Sequence, residues 1–148
     1  KIWTGARGRA QWFDGSTTFI TLPNISIPNE ISVSAWVFSN NFNQLGFVVG
    51  KNPVNDQWEL FFEGALKWRP GDISTVACSS PTNNMWHQIG VTQSGTSAIL
   101  FIDGAQCSSG TISPINNKWT ESQNNCKRIT ANYPNYTKHA HHQITNSK

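Results

Sequence analysis

Carboxylates, histidines and cysteines are few in this chain of 148 residues, so the places where they fall together carry most of its chemical information. Glu59 and Glu63 bracket Leu60-Phe61-Phe62 within the run WELFFEGALKWR. A pair of carboxylates on one strand could serve retaining glycoside hydrolysis, which needs a nucleophile and an acid about 5–5.5 Å apart across the scissile bond. The run argues against that use, because Glu63 falls in a turn beside Gly64 and Glu59 is answered by Arg69. His87 follows Trp86 with no nucleophile motif and no identifiable orienting acid, and reads as a strand-end histidine rather than a base. His139, His141 and His142 could catch a transition metal, but they lie in a tail without partner ligands. The acids are Asp14, Asp56, Asp72 and Asp103 with four glutamates. None is spaced as a calcium loop, and Asp56 with Asn52 and Asn55 is the nearest approach to one. No cofactor is expected, with calcium at that group as the alternative.

Cys78, Cys107 and Cys126 leave a remainder, since three cysteines cannot all pair within one chain. Cys78 closes a candidate strand and Cys107 lies on the apolar side of the following one, so the expected disulfide is Cys78–Cys107, with reduced thiols as the alternative. Cys126 is then free or intermolecular. Sugar binding needs exposed rings beside amides or carboxylates, because pyranose faces stack on aromatics. Trp58, Trp68 and Trp119, with the Asn-rich loops 40–44 and 82–84, are the candidates; Trp36 and Trp86 are expected in the core.

The elements that must position these residues are short and extended. WHQIGVTQSGTSAILFIDGAQCSSG reads as three strands, with Ser94-Gly95 and Asp103-Gly104 as two-residue turns. That register sets Val91 against Ala98, Ile89 against Leu100, His87 against Ile102, Ile102 against Ala105 and Leu100 against Cys107, leaving one apolar face. Residues 31–38 alternate clearly, with Ile31, Val33, Ala35 and Val37 on one side, which predicts a central strand. Ser32, Ser34, Trp36 and Phe38 share the other side, polar at its start and apolar at its end. In residues 58–69 a three-residue loop, Glu63-Gly64-Ala65, pairs Phe62 with Leu66, Leu60 with Trp68, Phe61 with Lys67 and Glu59 with Arg69. Gly46–Lys51 and Ile73–Cys78 are further strands. The segment WFDGSTTFITLP reads as a turn at Asp14-Gly15-Ser16 and a β-branched strand ended by Pro23. No segment shows a sustained helical period, so the expected fold is an antiparallel sandwich.

The set WFDGSTTFITLP, ISVSAWVF, WELFFEGALKW, MWHQIGVT and SAILFIDG, in this order, resembles the laminin-G-like, concanavalin A-like jelly-roll domains, which are pentraxin-related. The resemblance covers about residues 8–113 of one domain spanning 1–148. It implies an all-β, two-sheet jelly roll that binds carbohydrate or protein outside the cell, most such domains being non-catalytic. Glu59 to Glu63 also resembles the Glu-x-Asp-x-Glu strand of laminarinase-like glycosidases, but Phe61 stands where that family has Asp. The end of the chain departs from the pattern. Residues 114–148 lack the usual closing strand, and Ile129–Tyr133 is the best substitute. Either the tail closes the sandwich unusually, or an edge awaits a strand from another copy, as in strand-donation assemblies.

Charged residues are only 13% of the chain, which suits an extracellular β protein. A net charge of +3 does not argue for nucleic acid. No stretch is long and apolar enough to span a bilayer, and the chain opens on Lys1 without a visible signal peptide, as expected of a mature or excised segment. The sequons at Asn24 and Asn135 are candidate glycan acceptors. A secreted binding and adhesion module is therefore expected, with a glycan or extracellular protein as partner. The alternatives are a self-associating structural subunit and a glycosidase.

Overall fold

The structure, a computed structural model, describes residues 2–14, 17–20, 30–50, 58–70, 74–115 and 138–145. Eleven strands run in order: β1 (Ile2–Gly5), β2 (Gly8–Phe13), β3 (Glu30–Ser39), β4 (Gly46–Gly50), β5 (Trp58–Phe62), β6 (Ala65–Pro70), β7 (Val76–Ser79), β8 (Met85–Ser94), β9 (Ser97–Ile102), β10 (Ala105–Thr111) and β11 (Lys138–Thr145). They form a seven-stranded sheet, β1-β2-β11-β3-β8-β9-β10, and a four-stranded sheet, β4-β5-β6-β7. All the pairings are antiparallel, and no helix occurs among the described residues. The molecule is an all-β jelly-roll sandwich.

The alternation in β3 is obeyed along the whole strand: Ile31, Val33, Ala35 and Val37 are buried, and Ser32, Ser34, Trp36 and Phe38 are half-buried. Each fully buried aliphatic chain stabilises the fold by about 1.5–3 kcal/mol, so the inward face strongly favours one register. The β5–β6 hairpin likewise has the expected pairs, from Glu59↔Arg69 to Phe62↔Leu66.

The meander differs in register from the sequence expectation. Val91 pairs with Leu100 and Ile89 with Ile102, because the loop is Gly95-Thr96 rather than Ser94-Gly95. Gly95 has φ of +55°, as a glycine-first hairpin loop requires. The shift moves each partner by two residues, an even number, so every side chain keeps its face. His87 therefore faces Val37 on β3, not Ile102. At the next turn Asp103 and Gly104 both have positive φ, 52° and 81°, the pattern of a type I′ turn. Ala105 pairs with Ile102 as expected, but a bulge at Cys107 brings Ser108, not Cys107, opposite Leu100.

That bulge serves a contact between sheets: Cys107 of β10 is disulfide-bonded to Cys78 of β7, with the Cα atoms 5.8 Å apart. A buried hydrogen bond makes a second tie. Trp68 Nε1 on β6 donates to Gln93 Oε1 on β8 at 2.7 Å. The Gln93 amide in turn donates to the carbonyls of Gly95 (2.9 Å) and Ser113 (3.1 Å). Ser113 is held by Ser74 through its own N–H at 2.8 Å.

At the N-terminal end Ile2–Phe13 forms the β1–β2 hairpin, whose strands are too short to display a period in the sequence. At the other end, of the two alternatives for the tail, the structure has closure in an unusual way: β11 is inserted between β2 and β3, pairing Ala140 with Gln11 and with Val37. This closing strand is Lys138–Thr145, whereas Ile129–Tyr133 lies outside the described residues. After β2, Asp14 accepts the N–H groups of Thr17 (2.8 Å) and Thr18 (2.9 Å), and residues 17–20 follow without strand structure. Local capping by Asp14 thus replaces the start of the expected β-branched strand.

The inter-sheet hydrogen bond predicts a specific loss. Trp68→Phe keeps a ring in the core but strands Gln93 Oε1, and should cost about 1–3 kcal/mol, seen as a lower urea midpoint at unchanged slope. An unshifted midpoint would show that the bond contributes little.

Candidate ligand-binding groove

The outward face of the seven-stranded sheet carries the residues that alternate with its core. On β3 these are Ser32, Ser34, Trp36 and Phe38; on β8 they are Trp86, Gln88, Gly90 and Thr92. On β9, Ile99 and Phe101 continue the rows, opposite Thr92 and Gly90. A groove of about 220 Å³ opens here, lined by Ser32, Ser34, Gln88, Gly90, Thr92 and Phe101 among others. Gly90 makes the space: a Cβ at that position would meet Val33 O at 3.2 Å and Ser34 Cβ at 3.7 Å. Hydroxyls and an amide therefore flank a floor without a side chain, beside one aromatic wall. This suits a flat polyhydroxylated ring, whose hydroxyls can exchange hydrogen bonds with Ser, Thr and Gln while its apolar face meets Phe101.

Beyond the groove the same face becomes aromatic. Trp36 pairs with Gln88, and Phe38 and Trp86 stack at 5.8 Å between ring centroids. Arg7, from the β1–β2 turn, holds its guanidinium 5.6 Å from the Trp36 ring centroid.

Two tryptophans expected at a sugar site, Trp58 and Trp68, are in the core, and the two expected in the core, Trp36 and Trp86, are half-buried on the outward face. Trp58 and Trp68 are 7% and 0% exposed, with rings 5.7 Å apart. The β5–β6 register puts them on the inward face with Leu60, Phe62 and Leu66, so neither offers a ring to a ligand. Trp36 and Trp86 instead belong to the half-buried outward face. Only the inward partners of β3 and β8 reach the opposing sheet. Trp119, Cys126, Asn24, Asn135 and the Asp56, Asn52, Asn55 group lie outside the described residues. The Asn-rich loops 40–44 and 82–84 bind each other: Phe42 N–H donates to Asn83 Oδ1 at 2.8 Å, and Asn84 N–H to Ser39 O at 2.7 Å.

Both candidate catalytic carboxylates are engaged in ion pairs. Glu59 is buried and bonded to Arg69, and Glu63, in the turn, bonds Lys67 Nζ at 2.9 Å. The bond from Lys67 and its charge hold the Glu63 carboxyl below the usual range. Arg69 and Lys67 also lie 5.0 and 5.9 Å from the Phe61 ring centroid, where the glycosidase pattern would need an acid. Among the described residues no three His, Cys, Asp or Glu side chains are grouped to hold a metal ion.

His87 departs from its sequence description. It is buried, and its orienting acid is Asp103, whose Oδ2 lies 2.7 Å from Nδ1. The acid comes from the turn sixteen residues later, invisible until the hairpin folds. Nε2 lies 3.0 Å from Thr82 O and 3.3 Å from Thr82 Oγ1. The order hydroxyl, imidazole, carboxylate is that of a hydrolytic triad, but the shorter contact of Nε2 is to the Thr82 carbonyl, a group that only accepts, so this nitrogen is not set as a base against the hydroxyl. The ring therefore bridges two loops and has no free nitrogen facing the groove. For Asp103, partial burial acts to raise the pKa, but the hydrogen bonds from His87 and the Gln88 N–H, with the charge of His87, bring it below the usual value.

The sandwich and its groove define a class. Residues 14–140 match the family model of the concanavalin A-like lectin/glucanase superfamily, in its laminin-G form, and the chain belongs to that family. Among solved structures it is similar to domain 4 of AbnA, an extracellular arabinanase from Geobacillus stearothermophilus, in complex with arabinotriose. That match has 16% identity and a TM-score of 0.70 over 98% of this chain and 76% of that one. It is also similar to domains LG4-5 of the mouse laminin α1 chain, with 15% identity and a TM-score of 0.62, covering 97% of this chain and 42% of that one. The Caenorhabditis elegans galectin LEC-6 matches at 12% identity and a TM-score of 0.58, over 91% of this chain and 96% of that one. These likenesses establish the fold. No curated protein sequence matches the chain.

Asp103 makes acid stability testable. Since its folded pKa is depressed, its contribution is complete above the unfolded value of about 3.9 and is lost as pH falls through the folded value. Asp103→Asn, which keeps an acceptor for the Gln88 N–H but removes the titrating carboxylate, should remove this part of the acid-side decline in melting temperature. Identical acid profiles for both proteins would contradict the linkage.

Proposed function

We propose that this protein is a secreted, non-catalytic module that binds carbohydrate in the groove over Gly90. The observation that carries this reading is the groove itself, a side-chain-free floor between rows of Ser, Thr and Gln with Phe101 as its wall. The ion pairing of Glu59 and Glu63 and the bridging role of His87 favour binding over hydrolysis. The superfamily's name covers lectins, and the arabinanase domain was solved with arabinotriose, which supports a saccharide ligand. The Cys78–Cys107 disulfide favours an oxidising, extracellular setting. Asn24 and Asn135 as glycan acceptors belong to the same reading.

A second reading rests on β11, which fills a central slot far from its neighbour in sequence, β10. A strand placed last into the middle of a sheet can also be supplied by another copy. The protein would then be a structural subunit of an extracellular assembly.

Two measurements separate these readings. On a glycan array followed by calorimetry, the intact protein should bind a saccharide. Phe101→Ala and Gly90→Val should each weaken that binding about tenfold or more at near-native far-UV circular dichroism, and an array with no bound glycan would sink the proposal. Light scattering should find a monomer whose seven-stranded sheet loosens when residues 138–148 are deleted. Ordered oligomers that disappear on that deletion would favour strand exchange.

A further inference from the structure

The groove does not end at Ser34. The next outward residue on β3 is Trp36, about 7 Å further along the strand, and it abuts the groove through its partner Gln88. The face of this ring is covered by the guanidinium of Arg7, 5.6 Å from its centroid. Arg7 comes from the turn of the β1–β2 hairpin, at the edge of the seven-stranded sheet. β2 pairs with β11 only over Gln11–Phe13, while Gly8–Ala10 pair with β1 alone, so the Ala6-Arg7 tip is not held in the seven-stranded ladder. The β2–β11 ladder places the hairpin, and the cation–π contact with Trp36 brings the Arg7 charge to the end of the groove.

A guanidinium in cation–π contact spends none of its hydrogen-bond donors on the ring, so its N–H groups stay available. Arg7 is exposed, and no carboxylate among the described residues forms an ion pair with it. Arg9 on the same hairpin is exposed too, and no acidic side chain lines the groove. An exposed planar cation over an aromatic ring, beside a largely apolar groove edged by Ser and Thr hydroxyls, is an arrangement for bidentate recognition of an oxyanion.

We propose that the Arg7–Trp36 end is an anion subsite, so that the saccharide held over Gly90 carries a carboxylate or a sulfate one ring further along. This rests on the carbohydrate reading of the groove and narrows its ligand to acidic glycans. Trp36 acts as a positioning residue: it holds the guanidinium while the guanidinium takes the anion.

The test is an array carrying the same oligosaccharide backbones in neutral, uronate and sulfated forms, with affinities of the bound members measured for the intact protein, Arg7→Gln and Arg7→Lys. The intact protein should bind an acidic form at least tenfold more tightly than its neutral counterpart, and that preference should shrink with added salt. Arg7→Gln should abolish the preference and leave the neutral affinity unchanged. Arg7→Lys should retain part of it, because the charge remains without the planar fork. The uronate and sulfated arms show which anion is taken. Equal binding of acidic and neutral forms, or a preference that survives Arg7→Gln, would overturn the anion subsite and leave the groove reading standing. Equal loss of both forms in Arg7→Gln would also overturn it, by showing that Arg7 only holds the hairpin. Absence of binding to every form would overturn both.

Discussion

The hydrogen bond from Trp68 to Gln93 joins the two sheets within the core, and much else follows from where it falls. A buried amide is tolerable only when its hydrogen-bonding groups are satisfied. Gln93 is satisfied by an indole from the opposite sheet and by two carbonyls at the end of its own. This fixes the face of β8 that looks inward. With Gln93 inside, Thr92, Gly90 and Gln88 look outward, and the groove is a consequence of that parity. The disulfide at Cys78 and Cys107 reinforces the same junction near the outer strands.

The seven-stranded sheet depends on a second constraint, the insertion of β11. Its strand pairs with β3 over eight positions and with β2 over three, so it is the only described connection in the ladder between the N-terminal hairpin and the rest of the sheet. The hairpin that carries Arg7 is thus positioned by the end of the chain. The groove and its charged end are built from elements that lie far apart in sequence. Binding chemistry and closure of the sandwich are coupled through one strand.

Some of this was legible before folding. The β3 alternation, the β5–β6 register and the type I′ turn at Asp103-Gly104 follow from local rules, since side-chain period and turn chemistry act over a few residues. The loop is Gly95-Thr96, one position later than the Ser94-Gly95 turn that the sequence predicts, and the difference leaves the faces unchanged because it moves each partner by two. The sequence pattern sets Cys107 opposite Leu100 and pairs it with Cys78; the disulfide forms, but at a bulge between Gln106 and Ser108 that local pattern does not mark. Trp58 and Trp68 exchange places with Trp36 and Trp86 relative to the sequence expectation for a related reason: alternation shows that a strand has two faces, but not which one the second sheet will cover.

The sequence by itself determined the all-β class, most of the strands and the residues that share a face, because these depend on neighbours within a turn or a hairpin. Tertiary structure alone decided which face became core and which became groove. It also gave His87 its acid from a distant turn, put Arg7 over Trp36, and set the final strand between β2 and β3 rather than at an edge. The physical reason is the same each time. Those contacts join residues sixteen or more positions apart, and their partners are selected by tertiary packing, a step that local propensity does not register.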